Sequence, residues 1–382
     1  MRELDDILRA RGRASGPVVL ATVVAVSGSS YRRPGARMLM GEDGWLAGGV
    51  SGGCLEGDLV RKAFFWTSQG PRVLRYDTTG DNAEDEGGLS FALGCNGVVD
   101  ILLERWEPGS EGSASSASSA SSGDALTFAA EARQQSLRAV VATVYRGPAE
   151  AVGSRCLLRE DGVEAGNLTG PLRESVRAAA TEALVCGVPW SGACGGAEVL
   201  VEVVDPAPPV VVFGGGFDVA PVVSRAQGLG WHLTVVADRP VELLRRRFPQ
   251  AQSFIASRST EVLQKVPLSA RSLVLVMTHS LPQDRELLAR LVPLPVRYLG
   301  VLGPRARTER ILRELPQPPT AAQLEKLHAP MGLDLGAEGA DEIALSILAE
   351  VQTVLAGRDG GRLRERQAPI HAEAAAPERR SA

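Results

Sequence analysis

VVVFGGGFDVAPVVSRAQGLGWHLTVVADRP at residues 210–240 decides the fold of the C-terminal part of the chain. VVVF at 210–213 is a short, wholly apolar run of the kind that forms a strand buried on both faces. GGG at 214–216 ends it, an amphipathic helix follows, a glycine caps that helix, and LTVVA begins a second strand. Strand, glycine turn, helix and strand make the first β-α-β unit of a doubly wound α/β domain, Rossmann-like in class. Gly214 permits the tight turn and Gly216 lets the backbone approach a phosphate at the helix N-terminus. Val219 stands where a third small residue is usual. Asp238, 24 positions after Gly214, follows the second strand and is placed to accept a ribose hydroxyl. The same residues also describe a scaffold of this class that holds no dinucleotide.

Toward the C-terminus the alternation continues, with strands expected at 272–277 and 296–300 and helices at 283–291 and 304–315. A last helix is expected to be capped by Asp341. MTHS at 277–280 puts His279 at the C-terminal end of a strand, the edge on which doubly wound sheets build their sites. Its plainer role is that of a hydrogen-bonded turn histidine. Arg305 and Arg307 follow YLGVLGP and are placed either for an anion or on a solvated first turn.

Upstream, DPAPP at 205–209 marks a boundary, so residues 1–205 and 208–358 are expected to be separate domains. SASSASSASS at 113–122, between Gly112 and Gly123, cannot bury enough surface to offset the entropy of ordering it, and 108–124 reads as a flexible linker. Residues 360–382, rich in charge, Ala and Pro, read as a disordered tail.

The first domain is duplicated around that linker. ATVV at 21–24 answers ATVY at 142–145, and GARMLMGEDGWLAGGVSG at 35–52 answers GSRCLLREDGVEAGNLTG at 153–170 without a gap. GCNGVVDILLE at 94–104 then answers ACGGAEVLVE at 193–202. Each copy reads as three strands with a Glu-Asp-Gly hairpin turn, a glycine turn and helix, and one closing strand. Two like halves are expected to pack as one pseudo-symmetric α+β domain. The copies differ where SGGCLE at 51–56 faces TGPLRE at 169–174, so Leu172 stands in the place of Cys54. Cys54, after Gly52 and Gly53, and Cys95, after Gly94, are the candidate reactive thiols. The plain reading of both is a small buried hydrophobe. The glycines favour chemistry, because they let backbone N–H groups approach a ligand and leave the sulfur uncovered.

Composition limits the classes. Lys and Arg number 41 against 45 Asp and Glu, for a net charge of -4, which leaves no positive excess for nucleic acid. The early apolar run at 18–26 is far shorter than the roughly 20 residues of a membrane span, and the N-terminus reads as a short amphipathic helix with no export signal. Five cysteines with no C-x-x-C pair fit a reducing compartment, so a cytoplasmic location and no membrane contact are expected.

Taken together, these strings resemble the XdhC/CoxI family, accessory factors of molybdenum hydroxylases such as xanthine dehydrogenase. The carriers are ATVVAVSGSSYRRPGARMLM, GGVSGGCLEGDL and LGCNGVVDILLE, then FGGGFDVAP, TVVADRP, MTHS, YLGVLG and PMGLDLGAEGADEIALSILAEV. They cover roughly 18–105 and 137–356. The resemblance implies an N-terminal XdhC/CoxI-type domain and a Rossmann-like C-terminal domain. It implies a carrier and chaperone that binds the molybdenum cofactor, protects its sulfurated form and inserts it into an apo molybdenum hydroxylase, with a cysteine desulfurase as a second partner. The cofactor would be molybdopterin or a dinucleotide form, with Cys54 and Cys95 as molybdenum contacts and the Gly214–Gly216 turn as the seat of its phosphate. A homo-oligomer is expected. Ala237 stands where the family often has Asp, with Asp238 beside it, and Asn96 replaces a glycine. The competing readings are an NAD(P)-dependent oxidoreductase using His279 and Asp238, and an interaction scaffold with neither pocket occupied.

Overall fold

The computed structural model describes residues 2–28, 30–77, 89–90, 97–107 and 124–367. Gly94, Cys95, all of the expected linker but Asp124, and the tail beyond 367 lie outside the described residues. The chain divides into two units, one reaching Pro206 and the next starting at Ala207.

In the first unit the duplication extends to the topology. Half one contains α1 (Arg2–Arg13), β1 (Val18–Gly28), β2 (Arg37–Gly41), β3 (Gly44–Gly48), α2 (Glu56–Trp66), β4 (Arg72–Asp77), β5 (Leu89–Ser90) and β6 (Gly97–Trp106). Half two contains α3 (Ala125–Gln134), β7 (Ala139–Arg146), β8 (Arg155–Arg159), β9 (Glu164–Gly166), α4 (Gly170–Cys186), β10 (Trp190–Cys194) and β11 (Ala197–Val204). The sheets run β3-β2-β1-β6-β4-β5 and β9-β8-β7-β11-β10, the same order apart from β5. After its glycine turn and helix, half one has β4, β5 and β6 and half two has β10 and β11, where the sequence suggested one strand in each. RVLRYD in β4 and WSGAC in β10 share no residue pattern, so comparing the copies cannot reveal them.

Strand periodicity explains the packing. Val19, Ala21 and Val23 pack with Leu55, Leu59 and Ala63 around α2, and Val140, Ala142 and Val144 pack with Val176, Ala179 and Ala183 of α4. On the opposite strand faces the two sheets meet through Val24, Leu102, Tyr145 and Leu200. Ile7 of α1 joins Val18, Leu20 and Leu126 of α3 in a cluster on that same side of β1. The halves also exchange ion pairs. Arg37 Nη2 lies 2.6 Å from Glu202 Oε2, and the equivalent Arg155 pairs with the equivalent Glu104. Each arginine also donates to a nearby glycine carbonyl, Gly35 O at 3.0 Å and Gly153 O at 3.1 Å, so the two contacts repeat each other across a pseudo-two-fold.

The second unit contains β12 (Pro209–Phe213), α5 (Val219–Gly228), β13 (His232–Ala237), α6 (Val241–Arg247), β14 (Ser253–Ala256), α7 (Val262–Lys265), β15 (Leu273–Val276), α8 (Leu281–Leu291), β16 (Tyr298–Val301), α9 (Arg305–Arg313), α10 (Ala321–Glu325), β17 (Leu327–His328) and α11 (Ala340–Ala356). Its sheet is parallel throughout, in the order β14-β13-β12-β15-β16-β17. That is the doubly wound order 3-2-1-4-5-6. VVVF is apolar throughout because both faces are covered: Val210 and Val212 lie under α5 and α11, and Val211 and Phe213 lie under α8. The last helix is not capped by Asp341. Its N-cap is Gly339, and Glu342 reaches back to accept from the N–H groups of Glu338 and Gly339 at 2.9 and 3.0 Å. Asp341 instead pairs with Arg225 at 2.7 Å. Among the described residues no helix is long and apolar enough to cross a membrane.

Candidate functional site

Cys54 lies in the loop between β3 and α2, half-buried and free. The duplication explains why this loop is unusual. In half two the helix starts at Gly170, the counterpart of Gly52, whereas α2 starts only at Glu56. The stretch that carries Cys54 is therefore helical in one copy and unwound in the other. Glu56 holds it in that form: its carboxylate accepts from the N–H groups of Val50 at 3.1 Å, Ser51 at 2.7 Å and Gly53 at 3.1 Å, and from the Ser51 hydroxyl. Burial alone would raise the Glu56 pKa, but the bonds from Ser51 and Val50 outweigh it and hold the carboxyl below its usual range. Of the two glycines before Cys54, Gly53 has its N–H taken by side chains of the same loop, Ser51 and Glu56. What the loop leaves uncovered is the space at Gly53, which has a φ of +116° and no atom within 4 Å of a would-be Cβ. Gly52 packs beside the exposed ring of Tyr31.

The other described thiols differ. Cys156, aligned with Met38, is sealed in a strand, and burial pushes its thiol up to about 11. Cys194 is buried at the end of β10, and Cys186 is exposed at the end of α4. Among the described residues no group of three or more His, Cys, Asp or Glu side chains could hold a metal ion.

The second unit brings several of the remaining candidates together. Its strand order reverses between β12 and β15, and Gly214–Gly216 and His279 follow the C-terminal ends of those two strands. Gly214 must be glycine, because its φ is +152° and a Cβ would lie 2.3 Å from Met277 O. At Gly216 the space a side chain would fill is taken by Asp218 and His279. A Cβ there would lie 2.4 Å from Asp218 Oδ1 and 3.5 Å from the His279 ring. Asp218, which sequence reasoning missed, is the buried N-cap of α5, with Oδ2 2.9 Å from His279 Nε2 and Oδ1 buried without a partner. An Asp after a glycine turn reads as a solvated cap, so nothing local signals its burial. His279 holds a left-handed φ of +56°. Asp238 is exposed just beyond β13. Arg305 is exposed, but Arg307 is not open to an anion, since it binds the buried Asp284 at 2.5 Å, which also accepts from Thr278 Oγ1 at 2.5 Å.

Comparison with known proteins gives consistent matches. Residues 12–77 match the XdhC and CoxI family and residues 210–351 match the XdhC Rossmann domain, together more than half of the chain. The chain is similar to a probable subunit of xanthine dehydrogenase from Bacillus subtilis, 28% identical over 335 residues, covering 87% of this chain and 92% of that protein. It is 32% identical over 171 residues to the uncharacterized protein YqeB of Escherichia coli, covering 44% of this chain and 31% of YqeB. Among solved structures it resembles a xanthine dehydrogenase from Bacillus halodurans, with a TM-score of 0.72 and 29% identity, covering 94% and 97% of the two chains.

Proposed function

Because the chain belongs to the XdhC and CoxI family, we propose that it is an accessory protein that binds the molybdenum cofactor, protects its sulfurated form and passes it to an apo molybdenum hydroxylase such as xanthine dehydrogenase. The observation that carries this reading is the break in the duplication at Cys54. A role shared by both halves would keep both loops alike, and only the thiol-bearing loop is unwound and pinned by its own carboxylate. When bound, the cofactor supplies a sulfur-bearing molybdenum centre, soft enough to suit thiolate contact. Cys54 fits such a contact, being half-buried beside the open space at Gly53. Cys156 and Cys194 do not fit, since both are sealed in the core. Glu56 pins the loop that carries the thiol.

Cys95 with Gly94 is retained in the proposal as the second thiol turn. In the second unit, Gly214, Gly216, Asp238 and His279 serve recognition of the organic part of the ligand, molybdopterin or its dinucleotide. A cysteine desulfurase as sulfur source, a homo-oligomeric state and a cytoplasmic location complete the proposal. The NAD(P)-dependent oxidoreductase has less support, because it leaves the duplicated first unit and the unwound loop at Cys54 without a role.

The test is co-purification from cells that make the cofactor, with molybdenum read by elemental analysis and pterin by fluorescence. Wild type should carry both, Cys54→Ser should carry several-fold less, and Cys156→Ser should match wild type. Equal retention in all three, or no molybdenum with wild type, overturns the assignment.

A further inference from the structure

The duplication breaks at a second place in the first half. Ten residues separate Val24 from Gly35, whereas seven separate the equivalent Tyr145 from Gly153, so the loop between β1 and β2 is three residues longer than its counterpart between β7 and β8. Tyr31 sits in that longer loop and packs on Gly52 in the loop that carries Cys54. A Cβ on Gly52 would lie 3.5 Å from Tyr31 Cδ2, 3.6 Å from Cγ and 3.8 Å from Cε2. An edge-on ring would hold two of these atoms much farther away than the third, so the ring turns a face to Gly52. With that face covered Tyr31 is still 69% exposed, which leaves the opposite face open. The loop itself is pinned. Ser30 Oγ donates to Arg32 O at 3.0 Å, and the Gly35 N–H donates to Val23 O at 2.8 Å. The Glu3 carboxylate of α1 binds the Arg32 guanidinium and accepts from the Arg37 N–H at 2.9 Å.

A tyrosine this exposed adds little to the core of the first unit. What it offers is a flat, electron-rich surface, ordered in advance, on which a planar heterocycle can stack at little entropic cost. Gly52 and Cys54 are two residues apart, at most about 7 Å along the chain, so a ring on Tyr31 lies within reach of the thiol loop. The two departures between the copies therefore meet at one place, and one brings a thiol while the other brings an open aromatic face. We propose that Tyr31 stacks on the pterin ring of the cofactor and holds it beside the Cys54 loop. The ligand class rests on the proposed function, and the assignment adds the residue of the first unit that recognises the ring. The residues named in the second unit then serve the phosphate-bearing remainder of the ligand.

The experiment uses the full chain made in cells that lack the cofactor, with free pterin as the probe, and reads quenching of pterin fluorescence. Wild type should quench it saturably. Tyr31→Leu should raise the Kd about tenfold, in the range found when one stacking ring is removed from under a planar base. Tyr31→Phe keeps the ring and should bind as wild type does, and Phe65→Leu, which removes an equally exposed ring from α2, should have no effect. Thermal unfolding checks that each variant is folded. The proposal is overturned by the absence of saturable quenching with wild type, by an unchanged Kd in Tyr31→Leu, by a Tyr31→Phe as weak as Tyr31→Leu, or by an equal loss in Phe65→Leu. The probe carries no molybdenum, so the two readings fail separately. Loss of molybdenum in Cys54→Ser with unchanged pterin binding in Tyr31→Leu overturns the stacking role alone, and Tyr31-dependent quenching by a wild type that retains no molybdenum overturns the carrier role alone.

Discussion

Gly48 and Gly166 occupy the same place in the two copies and are needed for the same reason. A Cβ at either would lie 2.2 Å from the carbonyl oxygen of Arg37 or Arg155, and their φ angles are +75° and +124°. Gly53 also has positive φ, +116°, but open space around it. Gly48→Ala and Gly166→Ala should therefore each cost about 3 kcal/mol, left-handed strain plus overpacking. Gly53→Ala should cost only about 1 kcal/mol. Urea unfolding monitored in the first unit checks this, and equal losses at all three positions would show that the close approach is not what matters. The duplication aligns Gly48 with Gly166, but the sequence alone does not say what either glycine is for. Which glycines beside Cys54 were structural was not legible there, because a glycine pattern does not say whether its space is filled by a side chain or left open.

The loop that carries Cys54 depends on one carboxylate at the start of α2. Glu56 has a lowered folded pKa, so its contribution is present above the unfolded value, near 4.3, and is lost as pH falls through the lowered folded value. Glu56→Gln should remove that contribution at neutral pH and make the acid limb of the stability profile shallower than in wild type. The same variant should raise the labelling rate of Cys54 by a maleimide several-fold at neutral pH, while Cys156 stays unlabelled in its strand. An unchanged Cys54 labelling rate in folded Glu56→Gln would mean that the loop is held by something other than this carboxylate. SGGCLE marked this loop as the place where the two copies differ. It did not reveal the role of Glu56, because a Glu in a first helical turn usually faces solvent.

Across the first unit, the two halves are joined by a shared core and by two equivalent ion pairs with little exposure, Arg37–Glu202 and Arg155–Glu104. A protease site placed between residues 108 and 123, once cut, should leave the halves eluting together in size exclusion. Removing one partner of a buried pair costs about 3–5 kcal/mol, so Arg37→Ala should loosen the cut complex and shift it toward separate fragments. Fragments that separate without any substitution would show that the chain connection, not the interface, holds the halves together.

What the sequence determined by itself was local: the period of apolar residues, the glycine turns, the β-α alternation and the duplication, all of which a short window of chain expresses. It therefore sufficed for the doubly wound second unit, whose strands are apolar through their length, and for the repeat of the first. Tertiary structure alone decided which charges became neighbours. Arg37 meets Glu202, and Asp218 meets His279, across long stretches of intervening chain. The burial of Asp218 follows from where β12 and β15 end at the reversal of strand order, and no local pattern encodes that meeting, because it depends on how the whole sheet is assembled.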